Sequence, residues 1–177
     1  FSPDEPGVTP MNERLIRFIR RAEGYLELGL PLQAIESLER NPDLVVDSGR
    51  ACYLLGEALR ELGRYDEAVG PLERAVDLMA DDIHAHLALA WCYKRTRRLS
   101  AAIGTLQHAL RGEPLEPILH YNLACYYSLA NNRRRALRFL SSALDLDVNY
   151  VDLVPSESDF DLLRDDPEFQ MLTSVIV

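Results

Sequence analysis

The chain has 177 residues, 47% apolar and 27% charged, with 9 glycines and 10 prolines, which excludes the disordered and fibrous classes and predicts an ordered core. A net charge of −9 opposes general attraction to nucleic acid or to an anionic membrane, so neither is expected as a partner. No apolar run approaches the roughly 20 residues that span a bilayer, and Cys52, Cys92 and Cys125 form no CxxC pair, which fits a reducing, cytoplasmic setting.

Residues 1–10, with three prolines and two acids, read as a flexible arm. With no initial Met and no basic or apolar leader, this end reads as processed or trimmed. A period of 34 then runs through the chain: Ala34, Ala68, Ala102 and Ala136 keep it, as do Leu38, Leu72, Leu106 and Leu140. The small residues Ala22, Gly56, Ala90 and Ala124 follow the same spacing, and so do Tyr25, Leu59, Tyr93 and Tyr127. The predicted units are 11–48, 49–82, 83–116 and 117–150, each a pair of helices joined by a polar turn at Gly29, Gly63, Arg97 or Asn131. In 49–82 the face Cys52, Leu55, Gly56 and Leu59 opposes Ala68, Leu72, Ala75 and Val76, with small residues where the two backbones must approach. Asp81-Asp82 is placed to cap a helix starting near Ile83, and Pro117 suits a first turn. The first unit diverges, because Asn41-Pro42 ends its second helix early. In 151–177 the period stops: Pro155 and the acidic stretch from Ser156 to Asp161 read as a break, and Asp166 to Leu172 as a final short helix. Val154, Phe160, Leu163, Phe169 and Leu172 are predicted to close the apolar end of one continuous domain.

These residues resemble the tetratricopeptide repeat family, most strongly over 49–150: Leu55-Gly56, Gly63, Tyr65, Ala68 and Ala75; then Leu89-Ala90, Tyr93, Ala102, Ala109 and Pro114; then Leu123-Ala124, Tyr127, Ala136 and Ala143. The resemblance implies an all-α fold, a right-handed α-solenoid of tandem 34-residue hairpins with a C-terminal capping helix. It also implies a non-catalytic adaptor or scaffold that holds a peptide or helix of a partner protein in a concave groove. An assembly subunit using its convex face or basic edge, or the regulatory segment of a longer enzyme, are the alternatives.

In such a stack the first helix of each pair lines the inner surface. That places Tyr53, Leu54 and Glu57, then His84, Leu87, Trp91, Lys94 and Arg95, then Tyr121, Asn122 and Cys125 as the partner-binding set. Exposed helix faces are normally charged, whereas this one is apolar and aromatic, as interface anchors are. A covering C-terminal helix or a second copy stacked in the groove or end to end would bury it equally well. One subset of the family binds the acidic tails of chaperones through a clamp of Lys, Asn, Asn, Lys and Arg. Here the corresponding places hold Ile19, Glu23, Leu54, His84 and Ala88, or Tyr53, Glu57, Ala88, Ile118 and Asn122, so that clamp is not expected.

Over 90–140 nine bases face two acids, whereas 144–177 carries nine acids and one base. Arg97, Arg98, Arg133, Arg134 and Arg135 fall at equivalent turns and predict a basic edge, either solvated or facing an acidic partner. His84 and His86 stand two apart and point to different helix faces, unlike metal ligands one turn apart. Their spacing predicts no metal, and no phosphate-loop, nucleophile-elbow or dinucleotide motif nominates a cofactor or a catalytic residue.

Overall fold

A computed structural model describes residues 10–174. The expected arm lies outside them except for Pro10, which instead opens a helix at a position where its missing N–H leaves nothing unpaired. Residues 175–177 of the expected final segment lie outside as well. Among the described residues every regular element is helical, and the all-α reading holds. In order the helices are α1 (Pro10–Glu27), α2 (Pro31–Glu39), α3 (Pro42–Val46), α4 (Gly49–Glu61), α5 (Tyr65–Leu78), α6 (Ile83–Arg95), α7 (Leu99–Gly112), α8 (Pro117–Leu129) and α9 (Arg133–Leu146). Two 3-10 segments, Val148–Ser156 and Ser158–Leu163, and α10 (Pro167–Ser174) complete the chain. Where the sequence predicts one continuous domain, contacts divide the chain into two compact units, Phe1–Ala80 and Asp81–Val177.

In the first unit α1 packs on α2 and α4 on α5, and α2 also meets α4. The crossings are lined by the fully buried Ala22, Ala34, Ala58 and Ala68. At Gly56 an added Cβ would stand 2.4 Å from Leu72 Cγ, so the periodic small residue there is a requirement of close helix approach. Asn41-Pro42 does stop α2, and Pro42 then opens the short α3, whose buried Val45 carbonyl accepts from Cys52 Sγ at 3.0 Å.

In the second unit the pairs are α6 with α7 and α8 with α9. The Asp82 carboxylate caps α6 by accepting from the Ala85 N–H at 2.9 Å, and Pro117 begins α8. One core runs from Ala90 and Leu106 through Leu123 and Leu140 to Phe160 and Phe169.

All four turns close alike. Gly29, Gly63, Arg97 and Asn131 have φ of 66°, 72°, 62° and 54°, and the residue after each donates its N–H to the carbonyl five back: Leu30 to Tyr25, Arg64 to Leu59, Arg98 to Tyr93 and Asn132 to Tyr127. This left-handed closure satisfies carbonyls at the helix end, and it favours glycine because a Cβ crowds the following carbonyl.

The expected break at 156–161 is instead folded, with Ser156 ending the first 3-10 segment and 158–161 opening the second. Acidic side chains cap the start of each 3-10 segment: Asp147 accepts from the Asn149 N–H and Glu157 from the Asp159 N–H, both at 3.0 Å. Arg164 gathers the carbonyls of Val154 and Glu157 at 2.9 and 2.7 Å. Polarity read as a loop signal here marks side chains that tie down backbone.

Candidate functional site

In the first unit, the inner-face residues expected to meet a partner are already engaged. Leu54 is buried in the core, which corrects its expected role as a groove residue. The Glu57 carboxylate takes both arms of Arg60 at 2.7 Å, and the Arg50 guanidinium lies 5.4 Å from the Tyr53 ring centre while bonding Glu23 at 2.8 Å.

In the second unit the chain's own C-terminal segment lies over α8. Tyr121 meets the Tyr150 ring at 5.1 Å and the Phe160 ring edge-on at 5.8 Å, and Phe160 is fully buried. Tyr121 and Cys125 are therefore buried rather than open, a correction to both. The signal for this was present in Val154, Phe160 and Leu163, but sequence spacing does not say which helix they cover. Asn122 Nδ2 donates back to the Ile118 carbonyl at 2.9 Å. Burial raises the Tyr121 hydroxyl and the Cys125 thiol above their ordinary pKa values, with the nearby charges of Glu157 and Asp159 adding to it.

Lys94 is turned to the same cover. It donates to Asp159 and lies 5.1 Å from the Trp91 ring and 5.5 Å from that of Tyr126. What stays open on α6 is a stripe at spacings of three and four: His84 and Arg95 exposed, Leu87 half-buried against the core, and Trp91 37% exposed. Trp91 is the chain's one tryptophan.

The expected basic edge is broken up. Arg133 is held by Asp166 and by Glu168 at 2.7 Å, Arg135 donates to the Tyr127 hydroxyl at 3.1 Å, and Arg98 lies 5.8 Å from the Tyr93 ring. Arg97 and Arg134 are exposed.

The ligand atoms of Cys125, Glu157 and Asp159 fall within 4.8 Å of one another. A cation there would have to displace the Lys94 ammonium from Asp159 and ionise a thiol whose pKa burial has raised, so the donor set does not suit one. His86 is buried and stacks on His108 at 5.6 Å, consistent with packing rather than ligation. No helix of the described residues is long and apolar enough to cross a membrane.

Two family models, both described as tetratricopeptide repeat, match residues 19–83 and 59–124, together more than half of the chain. Solved structures of MamA share the fold: one is 23% identical over 78% of this chain and 81% of that one, with a TM-score of 0.71. MamA from Desulfovibrio magneticus RS-1 is 17% identical over 90% and 93%, also at 0.71. YrrB, described as a TPR protein with an unusual peptide-binding site, is 22% identical over 80% and 73%, at 0.72. No curated protein matches the sequence.

Proposed function

The chain belongs to the tetratricopeptide repeat family, and on that premise we propose that it is a non-catalytic protein-binding module whose open contact stripe is His84, Leu87, Trp91 and Arg95 on α6. Helical repeats of this family serve as protein-interaction modules. The observation that carries the finer reading is the exposure of Trp91 beside inner-face residues that the chain covers itself. Aromatic side chains left partly in water on an otherwise closed face are the usual anchors of an interface. Because Lys94 is already paired with Asp159, the stripe offers an apolar anchor flanked by His84 and Arg95. A partner segment bearing an apolar side chain suits it.

The test is affinity capture from the native cell with wild-type protein and with Trp91→Ala, after circular dichroism shows the variant folded. Partners lost with Trp91→Ala, together with a blue shift of the single tryptophan's emission when such a partner is added back, support the stripe. Retention of every partner refutes it. A partner that proves to be the same chain, seen as a sedimentation shift that Trp91→Ala abolishes, assigns the stripe to self-association instead.

A further inference from the structure

A second surface, independent of the α6 stripe, lies on the second unit between α9 and α10. There a cleft of about 570 Å³ has an apolar floor of Leu137 and Leu172 and a wall formed by Arg134 and Arg138, one helical turn apart. Its one acidic lining residue, Glu168, accepts from Arg133 at 2.7 Å, the same guanidinium that Asp166 holds. Arg134 and Arg138 pair with no carboxylate among the described residues, and Arg138 lies 5.6 Å from its neighbour Phe139. Arg138 also lines a neighbouring cleft of about 480 Å³, where Arg111 of α7 joins it above Leu110 and Phe139. Three cations thus run along α7 and α9 with apolar ground beneath each. This set shares Arg134 with the basic edge that sequence spacing suggested and adds Arg138 and Arg111.

We propose that this strip docks an acidic amphipathic helix of a partner protein, its carboxylates on Arg134, Arg138 and Arg111 and its apolar side chains on Leu137 and Leu172. Two observations favour a protein segment over a polyanion. Both clefts are partly apolar, which phosphate groups do not exploit. The adjoining stretch 144–177, with nine acids against one base, repels any long chain of phosphates or an anionic bilayer. A short segment that alternates acidic and apolar residues at helical spacing meets the cations of α7 and α9 and touches that stretch only on α10, at Leu172.

The probe is a fluorescein-labelled peptide with Glu and Leu at helical spacing, titrated with the full chain and followed by anisotropy. Saturable binding is expected, weakening as salt rises. Arg134→Glu/Arg138→Glu should weaken it at least tenfold, and Arg134→Lys/Arg138→Lys should keep most of it. Arg20→Glu/Arg40→Glu, which changes net charge equally on exposed residues of the other unit, should leave it unchanged. Absence of saturable binding, equal loss in both charge-reversed variants, or retention in Arg134→Glu/Arg138→Glu overturns the proposal. So does tighter binding of phosphatidylserine vesicles or single-stranded DNA than of the peptide. All these substitutions are at exposed positions, and circular dichroism of each variant verifies its fold.

Discussion

Lys94, near the end of α6, donates to the carboxylate of Asp159, 65 positions later in the second 3-10 segment, and both side chains are largely buried. The same ammonium lies over the rings of Trp91 and Tyr126. One cation therefore fastens the chain's own cover onto the inner face and also backs the aromatic residue that the cover leaves open.

Lys94→Met leaves the Asp159 carboxylate buried without its counter-charge, which should cost about 3 kcal/mol. Denaturant unfolding of Lys94→Met, Asp159→Asn and the double variant measures the coupling, and the double variant should recover more than half of the loss. Additive losses would mean that the pair contributes nothing of its own. Cys125 reports the same event. Its thiol is buried and its pKa raised, so alkylation at neutral pH should be slow in the wild type and faster once Lys94→Met loosens the cover.

Gly56→Ala should destabilise the first unit by about 1–3 kcal/mol, although alanine is the better helix former by about 1 kcal/mol. The new methyl would stand 2.4 Å from Leu72 Cγ in a packed core. Gly104, in the middle of α7, has nothing within 4 Å of an added Cβ, and Gly104→Ala should raise stability by about 0.5–1 kcal/mol. Thermal unfolding of the two variants should therefore move in opposite directions. Movement in the same direction would refute the packing argument.

Arg97→Gly should stabilise the protein by about 0.5–1 kcal/mol, because Arg97 holds a φ of 62° at a turn where the equivalent residues of the first unit are glycines. Gly63→Ala should lose about 1 kcal/mol for the same reason. Both are read from urea midpoints, which should shift in opposite directions.

Hydrogen bonds from Arg133 hold the Asp166 carboxyl at about 2, below its ordinary range, helped by the Phe169 and Glu168 amides. A carboxyl whose pKa falls on folding stabilises the folded state above its unfolded value of about 3.9, and that contribution is lost as pH falls through the folded value. The melting temperatures of wild type and Arg133→Gln should differ by a constant, small amount above about pH 5, and the gap should close between about pH 4 and 2. A gap that persists to pH 2 would show that Arg133 acts through packing alone.

The repeat itself was legible in the amino-acid sequence. Small residues at 22, 56, 90 and 124, and turn residues at 29, 63, 97 and 131, recur because each hairpin must solve the same close approach and the same left-handed closure. Those are local constraints, and local constraints leave a period in the chain. The segment after residue 147 carries no period, since it contacts a surface made by other elements. Only the tertiary structure decided that Phe160 covers Tyr121, that Asp159 takes Lys94, and that Arg133 is held by Asp166 and Glu168. Inner-face position by helical spacing therefore identified Trp91, Tyr121 and Cys125 alike. Which of them meets water depended on where a distant, non-repeating stretch of chain found its lowest free energy.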